Sequence, residues 1–364
     1  MAKTLFISGF LPSYEATSAG QRVSRVWLEE LMRSSDKVVV LAFVNSKDRL
    51  DTKAVESFEK SLLSSTEAYL VFIKPYHRIL GLILMPFLPS FVSSRLVAGR
   101  RKLMDLFKRN DFMHILSDFS QGLAVVPVDR WCDVHFRQHD IVSNLYQRRA
   151  VSDSPMSLFY RWEYKKTLAW ERKAWRICRK ITTLTEEDQN FVKKETQRGD
   201  IEYQYPAATL DLSRVDRKRV PKCEPSILFF GNLSRFENEE AILWFLNNCL
   251  PAIQRKVPDI RVDIVGAHPS VKLQKMANDR IRIHGYLDDI TDIFSTAWLA
   301  IAPLAFGSGI KLKVVETLEA KIPTVATLVA AEGIKFDGTL LEISNREEFA
   351  RKVISLLLEL KEGP

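Results

Sequence analysis

Cysteine is scarce in this sequence, with four in 364 residues. Cys132, Cys178, Cys223 and Cys249 have no C-x-x-C spacing, which excludes a disulfide-stapled secreted scaffold and a cysteine zinc site. They read as reduced, mostly buried thiols of a cytoplasmic protein. No His, Cys and Asp fall at metal-ligand spacing, so no metal site is expected. A signal peptide is not expected. MAKTLFISGF reads as a first strand, and Pro12, Tyr14 and Glu15 follow it where a small-residue cleavage site would stand. No disordered tail is evident, and no DNA- or RNA-binding motif appears, so a nucleic-acid partner is not expected.

A hydrophobic fraction of 46% is ample for packed cores, and 364 residues suggest two domains. Charge is divided unevenly between them. Residues 1–205 hold 32 Lys and Arg against 24 Asp and Glu, while residues 206–364 hold 21 of each, so the whole formal +8 lies in the first half. A one-sided basic surface suits an anionic partner, and scattered solvated lysines would give the same count.

Residues 306–320, FGSGIKLKVVETLEA, carry the most chemistry. The apolar run 298–304 reads as a buried parallel strand. It stops at Gly307-Ser308-Gly309, and a helix then opens with Ile310, Lys311, Lys313 and Glu316. Small residues let backbone approach a ligand, the first helical N–H groups lack internal partners, and the helix dipole favours negative charge there. Lysines add positive charge, and a carboxylate about two turns in accepts from sugar hydroxyls. A phosphate bearing a ribose is the natural guest. Three more strands end in glycine: 227–231 at Gly231, 261–266 at Gly266, and 281–286 at Gly285 and Tyr286. Strand and helix alternating, with glycines at strand C-termini, is the doubly wound α/β pattern, in which ligands bind at those ends.

The ordered set FFGNLSRFEN with its WF helix, VDIVG, IHGYLDDI, IAPLAFGSGIKLKVVETLEAKIPTVAT and AAEGI resembles the nucleotide-binding domain of glycosyltransferase family 4. The resemblance covers about residues 226–334. It implies the GT-B fold, two Rossmann-like doubly wound domains facing across a cleft. The expected boundaries are 1–205 for an acceptor domain, 206–222 for a linker, and 223–364 for the nucleotide-sugar domain with a terminal helix. It also implies a UDP- or GDP-sugar donor, retention of configuration and no metal. Gly309, Lys311 and Arg235 would steady the leaving diphosphate, with Lys313 as alternate, and Glu316 would bind the ribose. Gly231, Asn238, Gly285, Tyr286, Gly307, Ser308 and Ile310 complete the expected donor site. Many members carry two glutamates seven residues apart. Glu316 matches the second, while Ser308 replaces the first, as in a branch with this GxGxKxK wording, so the sugar stays unnamed.

The first half continues the resemblance. Strands are expected at 3–8, 37–44, 112–116 and 131–137, with a helix at 22–32. The family's first loop carries Gly-Gly beside the donor phosphates, and here Ala19-Gly20 keeps one glycine. RQHDIVSNLYQRRA resembles a segment in which Arg-x-His-Asn ends a strand at the cleft. His139 and Asp140, the latter in place of asparagine, are the candidates for contacts to donor sugar or acceptor. His139 would otherwise serve as a plain structural hydrogen bond. Trp162, Trp170 and Trp175 on a helix at 160–180 suit packing better than base stacking.

Residues 79–92, ILGLILMPFLPSFV, are too few to span a bilayer and are broken by Pro86 and Pro89. Lys74, Arg78, Arg95, Arg100, Arg101 and Lys102 flank them. An apolar wedge rimmed by basic residues fits docking on anionic lipid, and a buried loop-helix is the alternative. The expected protein is a peripheral enzyme on the inner face of the cytoplasmic membrane. It would transfer sugar to a glycan or lipid-linked acceptor in bacterial surface polysaccharide assembly. A non-catalytic nucleotide-sugar-binding partner, or a GT-B epimerase, are the alternatives. Oligomeric state is not legible.

Overall fold

The computed structural model describes residues 3–14, 19–45, 52–151, 156–206, 208–307, 309–335 and 339–362. They form two compact units, Met1–Pro206 and Ala207–Pro364. The first is built on seven parallel strands: β1 (Lys3–Ser8), β2 (Lys37–Val44), β3 (Thr66–Phe72), β4 (His114–Asp118), β5 (Val134–Gln138), β6 (Lys180–Thr183) and β7 (Glu202–Tyr203). Their order is β3-β2-β1-β4-β5-β6-β7. The unbroken apolar run of β2, VVVLAFV, is buried throughout, as a parallel strand covered on both faces requires. The order reverses between β1 and β4, which pair with Ser8 opposite Asp118. That is the switch point where a doubly wound sheet opens a crevice.

Local differences from expectation have physical causes. The strand expected from Trp131 begins at Val134, because Val128–Asp133 winds a 3-10 turn. That turn buries Trp131, whose Nε1 donates to the Val126 carbonyl at 3.1 Å. The helix expected to reach residue 180 is Ser157–Ile177, since Lys180 already belongs to β6. Trp175 is fully buried on that helix, while Trp162 is half-exposed under the Lys166 ammonium.

The second unit has six parallel strands: β8 (Ser226–Phe230), β9 (Arg261–Val265), β10 (Ile281–Gly285), β11 (Leu299–Ala302), β12 (Thr324–Thr327) and β13 (Leu341–Ser344). Their order is β10-β9-β8-β11-β12-β13, so the switch point falls between β8 and β11. The last helix, Phe349–Glu362, buries Phe349, Val353 and Leu357 in this unit's core. The stretch expected as a linker packs here too. Leu210, Leu212 and Val215 lie against the second core cluster, and Arg217 donates to the carbonyls of Phe294 and Ala297 at 2.7 and 2.6 Å.

Candidate functional site

In the second unit the candidates on the glycine turn, Gly231 and Asn238 gather at the switch point, whereas Gly285 and Tyr286 end β10 at the sheet edge. Gly231 follows β8, and Gly307 and Gly309 follow β11, ahead of the helix Leu312–Glu319. Gly309 has φ of 67°, a left-handed conformation that glycine adopts without strain, so the turn can fold back onto the helix start. Ser308 lies outside the described residues. Lys311 precedes the helix, donates to the Gly309 carbonyl and stands 3.9 Å from Glu332. Lys313 donates to Asn238 Oδ1 at 2.6 Å, and its ammonium sits 5.0 Å over the Phe229 ring. Asn238 in turn donates to the Asn232 carbonyl at 2.7 Å. A Cβ on Gly231 would stand 3.2 Å from Asn238 and 3.4 Å from the Lys313 ammonium, so glycine there lets the strand end lie against both. Burial pushes Lys313 down to about 7, helped by repulsion from Arg235 and Lys311.

Glu316 is fully buried and accepts from the Thr209 hydroxyl at 2.8 Å. Arg235 opens the helix Phe236–Asn248, is mostly exposed, and pairs with Glu237 at 2.9 Å. Gly285 ends β10 with φ of 68°, and Tyr286 beside it is half-exposed. Ile310 is partly buried in the glycine turn.

The first unit places His139 just beyond β5, beside the other switch point. Its Nε2 is 2.9 Å from Asp118 Oδ1, its ring stacks on Phe119 at 3.7 Å, and Trp27 meets it edge-on at 5.2 Å. Gly20, in the first turn of the helix Ala19–Ser34, abuts Phe119 and His139 Nδ1. Asp140 is exposed, and its carbonyl accepts from Gln138. Sequence reasoning missed Asp118. The signal was present: an apolar strand, HILS, that ends on a carboxylate.

It also missed the brace beneath this segment. Glu171, fully buried on the helix Ser157–Ile177, accepts from the Val142 and Ser143 amides at 2.8 and 3.2 Å and from Gln138 at 2.8 Å. It thereby meets the open N–H groups of the helix Val142–Ala150, a capping role supplied from another element. Burial pushes Glu171 up to about 7.

The apolar stretch 79–92 is divided. Val92 is buried, whereas Ile79, Leu82, Ile83 and Phe87 are 60–83% exposed. The helix Pro75–Leu84 carries the first three and packs against the helix Ser90–Arg109. Lys166 donates to the carbonyls of Met85 and Leu88, and Glu163 accepts from the Ser90 amide, so the turn between the two helices is fastened from behind. Of the basic residues, Lys74, Arg78 and Arg101 are exposed. Arg95 donates to the Gly9 carbonyl, Arg100 to that of Val125, and the Lys102 ammonium lies 4.0 Å over Tyr69. No helix among the described residues is long and apolar enough to cross a membrane.

Residues 224–359 match the family model Glycosyl transferases group 1. The match covers the second unit's glycine turn, lysines and Glu316. A curated relative, an uncharacterized 44.6 kDa protein in the cps region of Klebsiella pneumoniae, is 28% identical over 141 residues. That stretch is 36% of this chain and 36% of the relative's length. Solved structures extend the likeness over both units. Sucrose-phosphate synthase from Thermosynechococcus elongatus covers 99% of this chain and 90% of its own, at TM-score 0.66 and 14% identity. Anabaena HepE, solved with UDP and glucose, covers 100% and 94% at TM-score 0.62 and 12% identity. A trehalose-phosphate synthase from Burkholderia vietnamiensis covers 100% and 92% at TM-score 0.60 and 10% identity. The fold is GT-B, two Rossmann-like units in one chain.

Proposed function

We propose that this chain is a retaining, metal-independent glycosyltransferase of family 4 type. In this reading it moves a sugar from a UDP- or GDP-sugar to a glycan or lipid-linked acceptor. The observation that carries the proposal is the cluster at the second switch point, where Gly309, Lys311, Lys313 and Glu316 follow β11 and Lys313 reaches Asn238 beside Gly231. Breaking an anomeric C–O bond builds negative charge on the departing diphosphate. Fixed cations and backbone N–H donors already in place stabilise that charge most in the transition state. Lys311, Lys313 and Arg235 supply the cations. The nucleoside ribose takes the position of the Thr209 hydroxyl on Glu316. The Klebsiella relative's cps setting supports a role in surface polysaccharide assembly.

The exposed side chains of Ile79, Leu82, Ile83 and Phe87, flanked by Lys74 and Arg78, support an acceptor held at an anionic membrane surface. The working location is the inner face of the cytoplasmic membrane.

A thermal-shift screen of UDP- and GDP-sugars tests the donor site, because a ligand that binds only the folded state raises its melting temperature. One donor is expected to raise it and to be hydrolysed or transferred. Glu316→Ala should weaken nucleotide binding by about 1.5–3 kcal/mol, the scale of a hydrogen bond involving a charged group. A protein that no nucleotide sugar stabilises would overturn the reading.

A further inference from the structure

We propose that Asp118 is a positioning residue that sets the proton on His139: it holds Nε2–H and leaves Nδ1 bare, as an acceptor for a sugar hydroxyl. The identity of that hydroxyl rests on the transferase reading above, and the placement of the proton does not.

Asp118 is the last residue of β4, at the switch point, and is fully buried. A carboxylate offers acceptors and no proton, so its 2.9 Å contact with Nε2 places the imidazole proton there. The ring has little freedom to turn away. Phe119 stacks on one side at an interplanar angle of 16°, and Trp27 meets it at 63°. Phe119 itself has φ of 65°, a left-handed conformation that is strained for a non-glycine residue and persists only when its surroundings impose it.

The far atoms of the pair are open to a further partner. Asp118 Oδ2 and His139 Nδ1 are both buried and both without a hydrogen-bond partner. A buried polar atom left without a partner is unfavourable, and a hydroxyl bound at Nδ1 would relieve one of the two. Nδ1 faces the first turn of the helix Ala19–Ser34 across Gly20, where a Cβ would stand 3.4 Å away. Glycine there keeps a side chain out of the space beside the nitrogen.

Protein labelled with 15N-histidine tests the proposal, with His139→Gln used to assign the resonance. The expected result at pH 8 is one imidazole proton protected from exchange with water, attached to Nε2, and an unprotonated Nδ1. Asp118→Leu removes the acceptor and should erase the protected proton. Asp118→Asn keeps an acceptor oxygen and should restore it. For the donor found by thermal shift, Asp118→Leu should lower kcat about tenfold, with nucleoside diphosphate affinity unchanged, and Asp118→Asn should recover most of that loss. A proton on Nδ1, or no protected proton on His139, overturns the proposal, and so does unaltered kcat in Asp118→Leu. If Asp118→Leu does not fold, the wild-type spectrum and Asp118→Asn still decide. Absence of turnover with every donor in the wild type counts against the transferase reading and leaves the spectrum to judge the proton.

Discussion

Lys313 shows how one residue's surroundings set its chemistry. An exposed lysine is charged at neutral pH, but this ammonium lies over Phe229 and beside two other cations, and burial brings it down to about 7. A bound diphosphate supplies the missing counter-charge and draws a proton onto it. The sign follows: nucleoside diphosphate affinity should hold below about pH 7 and fall as pH rises above it, by up to about tenfold per unit for one proton. Calorimetry of UDP and GDP binding from pH 6 to 9 measures this. Lys313→Met should bind more weakly and lose the slope. A wild-type profile that stays as flat as the variant's would remove Lys313 from the phosphate.

At the scale of elements, the helix Val142–Ala150 is capped from outside. Its N-terminal amides find Glu171, on a helix whose first residue is Ser157. The same carboxyl holds Gln138, the residue before His139, and Gln138 also accepts from Trp175 at 2.5 Å. The candidate histidine is therefore carried on a fastened strand end. Burial raises Glu171 from 4.5 to about 7, so the folded state binds the extra proton. Its contribution to stability is full below about pH 4.5 and is lost as pH climbs through 7, up to about 3 kcal/mol for a shift of this size. Glu171→Gln should flatten the fall in melting temperature between pH 5 and pH 8. A variant with the wild-type slope would show that other groups set it.

Across the whole molecule, the basic excess and the exposed apolar helix occur in one unit. All of the formal +8 lies in residues 1–205, and Pro75–Leu84 leaves Ile79, Leu82 and Ile83 more than half exposed. Coulomb attraction to lipid falls with salt, and apolar insertion does not. Vesicle sedimentation should show binding to anionic membranes, weaker binding to neutral ones, and partial release at high salt. Replacing Lys74, Arg78 and Arg101 by Ser should cost about 1 kcal/mol per charge. Replacing Ile79, Leu82, Ile83 and Phe87 by Ser should abolish the salt-resistant part. Equal binding to neutral and anionic vesicles, or none to either, would leave the patch without this role.

The sequence by itself determined the doubly wound pattern and the grouping of glycines, lysines and a glutamate after β11, for a local reason. Apolar runs such as ILFFG and RVDIVG form buried parallel strands, each ending in a glycine with a helix next in chain, and the carboxyl ends of such strands are where doubly wound folds in general bind ligands. Gly307, Gly309, Lys311, Lys313 and Glu316 are neighbours in sequence, so their grouping needed no fold to reveal it. Tertiary structure alone decided which distant residues meet. Asp118 and His139 are 21 positions apart, Lys313 and Asn238 are 75, and Thr209 and Glu316 are 107. Parallel strands join through long crossovers, so residues that share a strand-end crevice are far apart in the chain, and no local period records their pairing. The same limit governed residues 79–92. Their composition fits core and surface equally, and only the packing of Pro75–Leu84 on one side, with Lys166 and Glu163 fastening the turn, left Ile79 and Phe87 outside and Val92 within.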